Sequence, residues 1–164
     1  LNVLVAAVGS AREQVAIMTP YFLPPRELVG ALKAAAMRGV DVAVVIPGLN
    51  NLPFVHWATR HMLWELLERG VRIHAHPPPF VHTKLLMVDR HYVQIGSTNM
   101  DPRSLRLNFE LQVEIYDRDF AAIVDTHFRE SIVRAHEITL DEVDARPLPA
   151  RLRDGLAWLL TPYL

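Results

Sequence analysis

Apolar positions along the chain alternate between two spacings, one suited to strands and one to helices. Val15 to Phe22 is a β-rich run closed by Pro24-Pro25. A helix-spaced stretch follows through Arg38, with proline suited to its first turn and Gly39 ending it. Val40 to Ile46 is short, almost wholly apolar and bounded by Pro47-Gly48, the pattern of a strand buried on both faces. These three segments read as a β-α-β unit. Pro53 opens a second helix that runs to about Arg69 and stops at Gly70, and Val71 to His76 places branched residues at alternate positions. The run Pro77-Pro78-Pro79 breaks the chain. Val81 to Val88 and Tyr92 to Ser97 are then predicted as a hairpin joined through Asp89-Arg90-His91. Phe109 to Tyr116 gives one more alternating strand, Phe120 to about Ala135 a helix, and Pro147 to Leu164 a separate unit behind a proline-flanked junction.

Strands alternating with helices, with a hairpin among them, define an α/β class: a mixed β-sheet in a layered arrangement. The 164 residues suit one domain, 51% of them are hydrophobic and 21% charged, and the mean hydropathy is +0.14. That is ample material for a packed core and excludes a disordered chain. No apolar run approaches the roughly 18–20 residues that span a bilayer, and no repeat or low-complexity block occurs. With no cysteine, disulfides, thiolate metal sites and cysteine nucleophiles are excluded, and the redox compartment stays open. The net charge of −1, from 17 basic and 18 acidic side chains, argues against affinity built on many nucleic-acid phosphates. The chain starts at Leu1 without an initiator Met, which reads as an excised piece of a longer protein.

The chemistry concentrates in Val81-His82-Thr83-Lys84-Leu85-Leu86-Met87-Val88-Asp89. On a continuous strand His82 and Lys84 share one face, while Leu85 and Met87 share the other. The next strand ends Gly96-Ser97-Thr98-Asn99. If it stays extended, Ser97 and Asn99 share a face, and Gly96 leaves room for a close approach to the backbone. A hairpin would gather an imidazole, an ammonium, a hydroxyl and an amide, the set expected around a tetrahedral oxyanion such as phosphate. Either dipeptide alone is an ordinary strand edge or turn. The six residue types together have a chance expectation on the order of one in a million per chain.

His82-x-Lys84, Asp89 after four residues and Gly96-Ser97-x-Asn99 after six more resemble the signature of the phospholipase D superfamily. The context resembles bacterial cardiolipin synthases most closely: Gly96 through Leu105, Asn108-Phe109-Glu110, Thr19-Pro20-Tyr21-Phe22, Trp57-Ala58-x-Arg60, Leu66-Leu67 with Gly70-Val71, and a final Leu-Leu-x-Pro-x-Leu. The resemblance covers nearly the whole chain. It implies a sheet sandwiched between helices (α/β/α), with residues 1–146 as one motif-bearing half-domain and 147–164 as an amphipathic tail. It implies that His82 is the nucleophile forming a phosphohistidine, and that Glu110, on the strand after the motif, holds the imidazole. Lys84, Ser97 and Asn99 match the binders of nonbridging phosphate oxygens, and Asp89 matches the motif aspartate, an organiser of the turn more than a reactant. No metal or other cofactor is implied, because lysine and neutral donors balance the phosphate charge.

A complete site of this kind has two such motifs, the second histidine protonating the leaving alcohol. This chain has one. The resemblance therefore implies the C-terminal half of a two-motif enzyme that makes cardiolipin from two phosphatidylglycerol molecules, with the N-terminal half of its parent, or a second copy as a homodimer, as partner. It implies a parent at the bacterial inner membrane and a membrane surface as a further partner, the piece itself being soluble. A single-motif homodimeric phosphodiesterase or nuclease is the alternative, and a non-catalytic domain that binds headgroups or a partner half is the second.

Several features stay open in the sequence. Trp57, His61 and Trp64 share a helix face, for packing or for substrate. His74 and His76, with His82, could form a metal site, although the pattern brings no carboxylate beside them. Arg103 and Arg106 could meet phosphate or anchor the loop after the motif, with Arg103 the candidate for substrate binding. In the tail, Leu152, Leu156, Leu159 and Leu160 form one stripe near Trp158, Tyr163 and two arginines, fit either to cap the domain or to lie in a membrane interface.

Overall fold

The computed structural model describes residues 1–161. Tyr163 and the last three positions of the Leu-Leu-x-Pro-x-Leu ending lie outside them. Seven strands form one mixed sheet: β1 (Gln14–Met18), β2 (Asp41–Pro47), β3 (Arg72–His76), β4 (Leu85–Val88), β5 (Tyr92–Gly96), β6 (Gln112–Tyr116) and β7 (His136–Ile138), in the order β6-β5-β4-β1-β2-β3-β7. Strands β1, β2 and β3 run parallel, and each remaining pairing is antiparallel. The helices are α1 (Asn2–Ser10), α2 (Arg26–Met37), α3 (Pro53–Leu67), α4 (Pro102–Arg106), α5 (Arg118–Arg134), α6 (Leu140–Asp144) and α7 (Leu148–Leu159).

Alternation along the strands divides the core in two. Val15, Ile17, Val42, Val44, Ile73 and Leu86 face α1, α2 and α3. Ala16, Met18, Ala43, Val45, Met87 and Val93 face the other way, against Ala121 and Phe128 of α5. The sheet is thus sandwiched between helices, as expected. All positions of β2 after Asp41 are buried, which explains its unbroken apolar sequence.

The motif strand is shorter than its sequence implies. Val81 to Val88 suggests eight residues of strand, yet only Leu85–Val88 pair. Leu85 sits opposite Met18 and Ile95, the last ladder positions on its two sides. Beyond Met18, Thr19 donates to Val45 O and the chain turns at Pro20. Residues 81–84 therefore have no neighbour on that side, and His82 and Lys84 lie in a connecting segment, not on a strand. Glu110 likewise precedes β6. The expected hairpin is present, with Asp89 and Arg90 both at positive φ (51° and 49°). Aspartate tolerates that conformation better than most residues.

The tail is a helix docked along α3, with Ala157 in the main core and Trp158 packed against it. Its leucines do not face inward. Asp154 is fully buried, bonded to Arg146 and to Arg153 (2.7 Å), while Leu152, Leu156, Leu159 and Leu160 are exposed. Among the described residues no helix is long and apolar enough to cross a membrane.

Candidate active site

The site forms where β4 begins and β5 ends. Because Leu85 pairs with Ile95, Lys84 and Gly96 lie just beyond the last pair, and the two motif segments emerge side by side. Lys84 Nζ lies 3.2 Å from each ring nitrogen of His82 and donates to His82 O at 3.0 Å. His82 packs against Phe80 (centroids 6.0 Å apart) and edge-on to Tyr21 (6.5 Å). Partial burial, and then the Lys84 charge, hold the His82 pKa below its ordinary value. The ring is therefore neutral at pH 7 and has a lone pair available. Burial also lowers the Lys84 pKa, and the Glu110 carboxylate opposes that shift.

Glu110, expected beside the His82 ring, meets other partners in this structure. Its carboxylate accepts from Ser97 Oγ and from Asn108 Nδ2 (3.3 Å), and no hydrogen bond joins it to His82 among the described residues. The cause is local. Ser97 N donates to Leu111 O and Leu111 N to Ser97 Oγ, which draws the segment before β6 against Ser97. Glu110 consequently reaches Lys84 through space and Ser97 through a hydrogen bond. Gly96 is needed for this approach, since a Cβ there would overlap the Leu111 carbonyl and come within 2.9 Å of Gln112 Cα.

Asn99 donates to Ser104 Oγ (3.3 Å), and Ser104 donates its backbone N–H (2.7 Å) and hydroxyl (3.2 Å) to Asp101. Asp101 caps α4, and burial raises its pKa despite the Ser104 bonds. Asn99 Oδ1 is buried without a partner. It lines a cavity of about 190 Å³ together with Tyr21, Leu52, Arg103, Ser104 and Asn108. A larger cavity of about 530 Å³, beside Pro24, Met62 and Trp158, contains none of the motif residues.

Asp89 is at the far end of β4 from His82, away from the reacting groups. It accepts the backbone N–H groups of Arg12, Glu13 and Gln14 (2.8–3.2 Å), tying the hairpin turn to the start of β1. Burial by itself would raise its pKa, but the three amides hold it below the ordinary aspartate value.

The two arginines of the following loop separate. Arg106 pairs with Glu27 (3.2 Å) and anchors α4 to α2. Arg103 is exposed at the cavity and its side chain has no hydrogen bond among the described residues. The Trp57 face of α3 packs on α7, with Arg153 over Trp57 (4.5 Å) and His61 against Trp158 (5.5 Å). His74 is buried within the sheet and His76 Nδ1 contacts Pro77 O. Among the described residues no three ligating side chains cluster in a way that could hold a metal. Sequence reasoning gave no role in the site to Tyr21, Phe80 or the Asp101–Ser104 pair. Tyr21 lies within the Thr19-Pro20-Tyr21-Phe22 signature, and Asp101 with a donor three residues on is a legible cap. Phe80 gave no signal.

The mixed sheet, its two helical layers and the single histidine and lysine motif at its edge define the class, a phospholipase D-like domain. A family model described as "Cardiolipin synthase, PLD-like domain" matches residues 4–132, and the chain belongs to that family. It is 40% identical over 98% of its length to cardiolipin synthase A of Proteus mirabilis. It is 34% identical over 99% of its length to the major cardiolipin synthase of Bacillus subtilis. In both cases it spans about a third of the relative's length. Among solved structures, Nuc of Salmonella typhimurium, a phospholipase D family member, aligns at TM-score 0.74 with 25% identity, covering 84% of this chain and 90% of that one. The phosphatidylserine synthase of Haemophilus influenzae shares the fold at TM-score 0.75 and 19% identity, across 99% of this chain and 44% of that one.

Proposed function

We propose that the chain is one catalytic half of a cardiolipin-forming phosphatidyltransferase, with residues 1–146 as the motif-bearing half-domain and 147–164 as its tail. A nitrogen lone pair of His82 attacks phosphorus of phosphatidylglycerol, and the bond from phosphorus to the glycerol oxygen breaks. Glycerol leaves with a proton supplied by the second histidine of the complete site. The hydroxyl of a second phosphatidylglycerol then takes the phosphatidyl group from His82, giving cardiolipin. Lys84, Ser97 and Asn99 receive the nonbridging oxygens, and Arg103 extends toward the headgroup. Glu110 orients Ser97 and balances Lys84, acting beside the nucleophile instead of on it.

The observation that carries this reading is Lys84 Nζ set 3.2 Å from both nitrogens of a histidine whose pKa is lowered. The arrangement combines a neutral nucleophile with a fixed cation, as attack on an anionic phosphodiester requires. The test is the complete gene product in bacteria lacking other cardiolipin synthases. His82→Ala is expected to abolish cardiolipin, and unchanged cardiolipin would refute the assignment.

A second reading is favoured by the likeness to Nuc, most of whose length this chain matches: two copies could complete one site. Light scattering combined with turnover of a nitrophenyl phosphodiester separates the two. An active dimer supports the second reading, and an inactive monomer excludes it.

A further inference from the structure

Helix α7 is docked the reverse way for an amphipathic surface helix. A helix of this kind ordinarily buries its apolar arc. Here the buried side is Asp154 with Ala157, and Asp154 is held by Arg146 and Arg153. Leu148, Leu152, Leu156 and Leu159 point outward, 59–67% exposed. At 3.6 residues per turn those four fall within an arc of about 80°, and Arg151 and Arg153 lie about 60° beyond its two edges. No acidic side chain lies within that arc.

The leucine arc continues toward the active site. Leu152, Leu156 and Leu160 line an open apolar groove of about 510 Å³ with Phe54 and Trp57 of α3. Phe54 packs against Trp57 at 5.3 Å and is itself 54% exposed. Two residues earlier, exposed Leu52 lines the small cavity that also holds Asn99 and Arg103. The apolar surface therefore extends from the mouth of the site, over the first turn of α3, and along α7.

We propose that α7 and the start of α3 form a docking face for an anionic phospholipid surface, on which the leucines insert and Arg151 meets headgroup phosphate. Three observations select a bilayer as the occupant. The leucine arc is edged by Arg151, a long basic side chain of the kind that reaches from an apolar boundary to phosphate, while Arg153 at the other edge is held by Asp154. Aromatic rings of the kind enriched at membrane interfaces border the groove. The surface is continuous with the site mouth, so a docked chain meets its lipid substrate without lifting it through water. This rests on the lipid reading of the site for its purpose, but not for its test, because binding requires no chemistry.

The test uses the 164-residue chain with vesicles of phosphatidylcholine alone and of phosphatidylcholine and phosphatidylglycerol in equal amounts, read by co-sedimentation and tryptophan fluorescence. Binding is expected to the anionic vesicles, weakened by salt, with a blue-shifted tryptophan signal. Leu152→Glu with Leu156→Glu should reduce it by at least about tenfold, and Arg151→Glu by a smaller factor. Both sets of positions are exposed, and an unchanged melting temperature confirms folding. Absence of binding by the unmodified chain overturns the proposal, as does equal binding by the double variant. Self-association of the chain that the same leucine changes abolish, without vesicle binding, would make the face a contact between copies and also overturns it. His82→Ala is expected to bind as the unmodified chain does, so loss of catalysis and loss of docking are read separately.

Discussion

Replacing Asp89 tests whether the motif aspartate is structural. Its carboxylate accepts three backbone N–H groups at 2.8–3.2 Å, from a segment 75 to 77 residues earlier in the sequence. Hydrogen bonds to a charged group contribute roughly 1.5–3 kcal/mol each where buried. This turn is partly open to water, so about 1 kcal/mol per bond, or about 3 kcal/mol for Asp89→Ala, is the reasoned loss. At about 2–4 °C per kcal/mol for a chain of this size, the melting temperature should fall by roughly 6–12 °C. Asp89→Asn keeps an acceptor for Glu13 and Gln14 but presents an amide to Arg12 N–H, and should lose about half as much. The pH dependence has a definite sign. A carboxylate whose folded pKa lies below its reference value of 3.8 contributes stability that is fully present above that value and is lost as pH falls through the folded pKa. The gap between Asp89→Asn and the unmodified chain should therefore be constant from neutrality down to about pH 5 and close in more acidic buffer. Thermal melts across pH, with turnover measured well below the melting temperature, check both points. Unchanged melting, or lost turnover in a fully stable variant, would refute the structural role.

Three other changes probe the site and the tail. Lys84→Met removes the charge beside His82, so the His82 pKa should rise toward 6.5, seen in an NMR titration of the imidazole and as a shift of the acidic limb of activity to higher pH. Gly96→Ala forces a Cβ into the Leu111 carbonyl and should cost about 1–3 kcal/mol while separating Ser97 from Glu110, measured by denaturant unfolding. Asp154→Ala leaves Arg146 partly buried without its carboxylate and should cost about 3–5 kcal/mol. The loss should appear as faster hydrogen exchange along α7 while β1 and β2 stay protected.

The central sheet was legible in the sequence because β1, β2 and α2 are set by local rules that tertiary packing reinforces. Asp41 marks the exposed entry to β2, six buried positions follow, and prolines and glycines bound the elements. The weaker elements were not legible. Strand β7 has three residues, and α4 and α6 have five each, lengths at which hydrophobic periodicity carries no signal. Helix α1 has an apolar sequence without a clear face, and it takes its place from packing against α2. The motif strand is shorter than its sequence implies because Val81 and Thr83 suit a strand intrinsically, whereas pairing ends where β1 turns away at Pro20.

The site and the tail show the same limit in opposite ways. Motif spacing groups His82, Lys84, Ser97 and Asn99, since a hairpin end brings those segments together, and the family resemblance adds Glu110. Which acid meets which partner depends on a contact between Ser97 and Leu111 that lies outside any local rule, and so Glu110 falls to Ser97. In α7 the spacing sets the leucines on one stripe but does not say which way that stripe faces. Burying the leucine arc would leave Asp154 and its arginines outside, whereas burying Asp154 gains charged hydrogen bonds with Arg146 and Arg153 in one place. That choice leaves apolar area in water at a cost of about 25 cal/mol per Å². Such an exposed surface is accounted for when another surface covers it, which is why the orientation of one buried aspartate bears on what α7 docks against.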